Sequence, residues 1–112
     1  MARRHAQRRG RVSALQLDPV MHAPLRLQLC VILSTCDEAE FALLRDETGV
    51  SDSVLSKQLR QLEDAGYVAV RKATVASRQR TWLSLTRAGE RALRTYLRAL
   101  TRLTEAVPAS RR

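Results

Sequence analysis

Apolar residues fall along this chain in patterns that change period twice. Leu25, Leu27, Leu29, Cys30, Val31, Ile32 and Leu33 crowd one segment. They lie nearly all round a helix, so the spacing predicts a helix covered on two sides. Pro24, just ahead, suits a first helical turn. Leu17-Asp18-Pro19-Val20 marks the entry to the folded part. Asp37 to Glu40 reads as an acidic connector, with Phe41 open between a short strand and the next helix. Leu43-Leu44 then leads to Thr48-Gly49-Val50-Ser51. Gly49 allows the left-handed backbone that closes a helix, and Ser51 is an N-cap with Val50 as a staple residue. Leu55, Leu59 and Leu62, spaced four and three, predict one stripe on a helix from Asp52 to Ala65 that stops at Gly66.

Beyond Gly66 the period falls to two. Tyr67-Val68-Ala69-Val70 reads as a strand and Arg80 to Leu85 as its returning partner. The polar, basic stretch between them, Arg71 to Gln79, lacks an Asn-Gly type signal, so the expectation is a hairpin with a long, mobile tip. Thr86 caps a last helix that runs to about Ala106, before Pro108. Its Leu93, Tyr96, Leu97, Leu100, Leu103 and Val107 form one stripe, and Arg87, Arg91, Arg94, Arg98 and Arg102 form another on the opposite side. Five apolar turns exceed what a small domain covers alone. The helix is therefore expected to pack first on Leu25–Leu33 and then on a second subunit, through Leu93, Tyr96, Leu97, Leu100 and Leu103. The arginine stripe is open between a solvated face and a contact to distant phosphates or an acidic protein.

These elements make an α+β, mostly helical unit over residues 17–107, with its last helix at 86–106. A basic arm, 1–16, precedes it and a basic tail, 108–112, follows. A chain of 112 residues supports one core and not two. The arm is expected to be flexible, as a disordered leader or a minor-groove reader. The longest uncharged apolar stretch, Leu27 to Thr35, is far short of the ~20 residues of a membrane span. No signal-peptide pattern follows the basic start. A cytoplasmic protein is the expectation.

Charge sharpens the picture once it is divided along the chain. Residues 1–11 carry +5, residues 12–52 carry −5 and residues 53–112 carry +9. A polyanion partner explains one strongly basic half. An arginine-rich solubilising surface explains it too, and charge alone does not separate the two.

The placement of the cations does. With Leu55 at the centre of the core face, Ser53, Lys57 and Arg60 fall on the opposite face at 100° per residue, with Ser56 at its flank. Short hydroxyls let a helix approach a major groove, and long cations reach phosphates and guanine edges. A solvated helix face would look the same in isolation. The hairpin that follows carries Arg71, Lys72, Arg78 and Arg80, with no acid between Asp64 and Glu90. A basic ribbon beside such a helix suits a DNA backbone or minor groove, with Lys72, Arg78 and Arg80 as phosphate contacts. Two helices joined by a glycine-centred turn, then a basic hairpin, is the plan of a winged helix-turn-helix. Its expected DNA contacts are Ser51, Ser53, Ser56, Lys57, Arg60, Lys72, Arg78 and Arg80.

The run from Gly49 to Val68 resembles the recognition-helix segment shared by MarR-type and ArsR-type regulators. Leu85-Thr86-Arg87-Ala88-Gly89 is similar to the leucine-threonine-x-x-glycine entry to the last helix of MarR-type proteins. With Leu17–Val20 and Pro24–Leu27 ahead, the chain most resembles the short MarR-like winged-helix regulators over residues 17 to about 100. The resemblance implies a homodimeric transcriptional repressor on palindromic double-stranded operators, and leaves room for an unidentified small-molecule effector. The metal-binding cysteine motif of ArsR-type sensors is absent.

Other chemistries find little to work with. Cys30 sits in the most apolar segment and reads as a small core residue. Cys36 lies beside Asp37 and Glu38, whose charges oppose thiolate formation. No Cys-x-x-Cys or paired histidines occur, so no metal or other cofactor is expected. Two His and four Gly assemble no Ser-His-acid set, phosphate loop or carboxylate pair, which argues against an enzyme. Two rivals remain beside a sequence-specific regulator: a winged-helix module for an acidic protein, and a non-specific nucleoid-type DNA protein.

Overall fold

A computed structural model describes residues 17–109; the basic arm and residues 110–112 lie outside them. The element order is α1 (Pro24–Leu33), β1 (Ala39–Glu40), α2 (Phe41–Thr48), α3 (Asp52–Asp64), β2 (Val68–Val75), β3 (Arg78–Leu85) and α4 (Arg87–Glu105). This is the α+β winged helix-turn-helix that the residue pattern implies.

Local signals account for most element ends. The Asp18 carboxylate accepts from the backbone N–H of Val20 at 2.8 Å and of Met21 at 3.4 Å, shaping the turn into α1. Pro24 stands in the first turn of α1 and donates nothing there. Helix α2 ends at Gly49, where φ is +71° and the N–H reaches Arg45 O. The Ser51 hydroxyl caps α3 by accepting from Val54 N at 3.2 Å. At its other end Tyr67 N donates to Leu62 O and Gly66 N to Glu63 O, both at 2.9 Å. That pair of bonds, with Gly66 left-handed, is a Schellman closure.

The sheet has the order β1-β3-β2, antiparallel throughout. Two details differ from expectation. The acidic connector contributes a two-residue strand, Ala39 and Glu40, paired with Leu83 and Trp82 of β3, and Phe41 opens α2. The hairpin has no long tip. Eight pairs run from Val68↔Leu85 to Val75↔Arg78, leaving Ala76 and Ser77 as the turn. Both have positive φ, 52° and 66°, the geometry of a type I′ turn made without Asn or Gly.

Leu29, Leu33, Leu44, Leu55, Leu62 and Leu83 are essentially inaccessible to solvent, and Leu59, Val68, Leu93 and Tyr96 close the core around them. Truncating any one of these leucines to alanine costs about 2–5 kcal/mol. Cys30 is fully buried; desolvation, helped by the Asp18 charge, pushes its thiol up to about 11. Helix α1 is covered from both sides, by α2, α3 and β3 and by the terminal helix α4, and leaves only a narrow exposed strip at Gln28 and Val31.

Helix α4 packs on α1 and β3, and its entry is fixed by a close backbone contact with the turn that follows α3. Thr86 Oγ1 donates to Gly66 O at 2.6 Å and accepts from Gly89 N at 3.0 Å, while Thr86 N donates to Tyr67 O at 2.9 Å. Gly89 packs so tightly there that a Cβ would stand 2.2 Å from Tyr67 O. The leucine-threonine-x-x-glycine run is thus the joint between α4 and the end of α3.

Candidate nucleic-acid interface

The buried stripe of Leu55, Leu59 and Leu62 fixes the roll of α3, so its other face must look outward. Ser53, Ser56, Lys57 and Arg60 are all exposed, as the 100° arithmetic requires. Ser51 is occupied: its hydroxyl caps the helix and lies 3.3 Å from Ser53 Oγ. Val54, which the residue pattern did not single out, is 42 % exposed on the flank of this face. An apolar group among hydroxyls was its signal, and a thymine methyl is the contact such a group makes.

Arg26 holds the helix from behind. Its guanidinium donates to Gln58 Oε1 at 2.8 Å and to Gln61 Oε1, and its Nε donates to Val20 O at 2.7 Å. The two glutamines on the flank of α3 are therefore tied to α1 and to the entry turn. That turn is tied in its own right to the end of α3, because Tyr67 OH donates to Asp18 Oδ2. The bond to the carboxylate, with burial behind it, raises the phenol to about 12.

The wing divides its cations into two classes. Arg71 makes two bonds to Glu38, Nε to Oε2 at 2.8 Å and Nη2 to Oε1 at 2.7 Å, and lies 5.4 Å from the centre of the Trp82 ring. The same hydrogen bonding holds the Glu38 carboxyl below the usual carboxylate range. Arg80 donates from Nη1 to Glu40 Oε2 at 3.0 Å. Arg80, expected as a phosphate contact, is thus already paired. Lys72 and Arg78 are exposed, and no ion pair engages them, Lys57 or Arg60 among the described residues. Between α3 and the wing lies an open groove of about 580 Å³, bordered by Glu40, Phe41, Asp52, Ser56, Arg78 and Arg80. Asp52 is itself paired, with Arg45 at 3.2 Å.

The expected subunit contacts also separate. Leu93 and Tyr96 are 6 % and 5 % exposed and belong to the protomer's own core, Tyr96 OH lying 2.9 Å from His22 Nδ1. Leu100 is half-buried, whereas Leu97 and Leu103 are 41 % and 38 % exposed. The stripe is continuous but its cover ends: every residue from Thr101 to Ala109 is exposed. Among the described residues, no cluster of His, Cys, Asp and Glu could hold a metal ion, and no helix is long and apolar enough to cross a membrane.

Comparison with known proteins matches residues 25–104 to the winged helix DNA-binding domain family. An uncharacterised protein of Methanocaldococcus jannaschii is 23 % identical over 86 residues, which cover 77 % of this chain and 94 % of the relative. Among solved structures, a transcriptional regulator homologue from Pyrococcus horikoshii superimposes with a TM-score of 0.76 at 22 % identity, over 84 % of this chain and 93 % of its own. A PadR family transcriptional regulator from Eggerthella lenta gives 0.60 at 23 % identity, over 73 % and 80 %. At these identities the likeness is one of fold.

Proposed function

Because this chain belongs to the winged helix DNA-binding domain family and carries its helices and wing in the MarR-like order, we propose that it is a sequence-specific transcriptional regulator, a repressor that binds double-stranded DNA as a homodimer. The observation that carries this reading is the outer face of α3. Ser53, Ser56, Lys57 and Arg60 are exposed there, and the wing cations Lys72 and Arg78 stand beside them with no ion pair among the described residues. Small hydroxyls admit the helix to a major groove, and the cations supply guanine and phosphate contacts.

A second subunit is the natural cover for Leu97, Leu103 and Val107, which continue or flank the buried stripe of α4 where the protomer runs out. Two copies related by a two-fold axis would present two α3 helices, and the matching operator is a palindrome. A small-molecule effector would find room in the 360 Å³ cavity between Leu17, Asp18, Tyr67, Arg91 and Tyr96.

Footprinting on the DNA upstream of the protein's own gene tests the reading. With an operator in hand, Lys57→Ala and Arg60→Ala should each cost ~1–3 kcal/mol on it and less on a random duplex at the same salt. Stability should stay within ~0.5 kcal/mol, since both side chains face solvent. Equal losses on both duplexes would reduce these residues to backbone contacts. No loss on either would remove α3 from the interface, and random DNA binding as tightly as any promoter would mark a nucleoid-type protein.

A further inference from the structure

The wing carries four cations, but two of them are neutralised from within the chain by the carboxylates that flank and form β1. The register explains how. Glu40 lies opposite Trp82 on β3, and side chains two apart on a strand share a face, so Arg80 is the next residue on that face toward the hairpin tip. Glu40 reaches along the strand to it, Oε2 to Nη1 at 3.0 Å. Both side chains are partly withdrawn from water, 27 % and 40 % exposed. Both also border the groove between α3 and the wing, where Ser56 of the reading face lies opposite them. A guanidinium that already holds a carboxylate adds no net positive charge to that groove. It neutralises no phosphate unless the carboxylate is left behind, bare, beside another anion.

Resting on the DNA-binding reading above, we propose that Glu40 lowers this protein's general affinity for DNA by occupying Arg80 inside the groove between the recognition helix and the wing. Discrimination is then left to the outer face of α3, and phosphate contact to Lys72 and Arg78, which no ion pair engages among the described residues. Non-specific affinity comes almost wholly from phosphate neutralisation and competes with operator binding across a genome. An internal carboxylate that removes one cation therefore improves the ratio of specific to non-specific binding without touching a base. Glu40 is a specificity-setting residue, and it acts through Arg80.

The test is a double-mutant cycle on a random duplex, read by fluorescence anisotropy at several salt concentrations, with the full chain as wild type, E40Q, R80A and E40Q/R80A. The Glu40 backbone starts α2 and its side chain makes no capping bond, so E40Q keeps the helix entry; E40A serves as a second variant. Removing the carboxylate should tighten binding about three- to tenfold near 0.1 M salt, and steepen the plot of log affinity against log salt by about 0.9, one more phosphate neutralised. Adding R80A should abolish both gains, so that R80A costs more in the E40Q background than in wild type. Wild-type binding with E40Q and E40A unchanged or weaker would overturn the proposal. So would a gain that survives in E40Q/R80A, since the carboxylate would then act by its own field and not through Arg80. A wild-type chain that binds no duplex at any salt would instead overturn the DNA-binding reading itself.

Discussion

Replacing Gly89 with alanine probes the joint on which α4 is mounted. The added Cβ would stand 2.2 Å from Tyr67 O and 2.8 Å from Leu85 Cδ1. The leucine methyl can turn away. The carbonyl cannot, because it accepts from Thr86 N at 2.9 Å in the turn that closes α3. A carbon and a carbonyl oxygen settle at roughly 3.3–3.6 Å, so α4 must back away by about 1 Å. Overpacking of this kind costs about 1–3 kcal/mol. Stretching the Thr86 bonds to Gly66 and Tyr67 adds about 1 kcal/mol for each one lost. Alanine returns up to ~1 kcal/mol in helix propensity. The net expectation is a loss of about 2 kcal/mol, which for a domain of this size lowers the thermal midpoint by roughly 8–16 °C. Thermal unfolding at one fixed protein concentration is the assay, because subunit association would otherwise shift the midpoint. A Gly89→Ala chain as stable as wild type, or more stable, would refute the close approach of α4 to the Gly66–Tyr67 turn.

Three further outcomes are expected. The double change Ala76→Asn with Ser77→Gly should raise unfolding stability by about 1–2 kcal/mol, since both residues hold a left-handed backbone that costs L side chains about that much; an unchanged urea midpoint would mean the turn is not tight. Leu97→Arg or Leu103→Arg should give monomers in sedimentation with weakened DNA binding, and a wild-type chain that is already monomeric at micromolar concentration would sink the dimer. Stability should fall in alkali, because the Cys30 thiol and the Tyr67 phenol are both raised in the folded chain, to about 11 and about 12. Their contribution is whole below the unfolded values near 9 and 10, and is lost as the pH climbs through the folded ones. Urea midpoints between pH 8 and 12 should therefore fall, and Cys30→Ala should flatten the lower part of that fall; a flat wild-type profile would contradict it.

What could be read from residues alone depended on how local its cause was. Ser51, Gly66 and Thr86 announced element ends because caps and closures involve neighbours three or four positions apart. The stripe of Leu55, Leu59 and Leu62 set the outer face of α3 for the same reason. The two-residue strand β1 has no period to detect, and only the register with β3 creates it. Ala76-Ser77 carries no turn signature; eight pairs of cross-strand bonding impose the turn against local preference. The Arg80–Glu40 pair spans forty positions, so its cation looked as free as that of Arg78. On α4 the apolar stripe was legible along its whole length, but not the point after Leu100 where the protomer stops covering it.

The tight hairpin also changes the entropy of any encounter made through the wing. A loop from Arg71 to Gln79 free in solution would have to be ordered on contact, at about 1–2 kcal/mol of lost backbone freedom for each residue fixed. Here those residues are already in a paired ladder when the chain has folded. The cost of ordering has moved from binding to folding, and it surfaces as two left-handed residues at the tip. Lys72 and Arg78 are carried on a ribbon of set length and twist. Their contribution to association is then governed by where the ribbon points, and on contact only their own side-chain rotamers remain to be ordered, not the backbone that carries them.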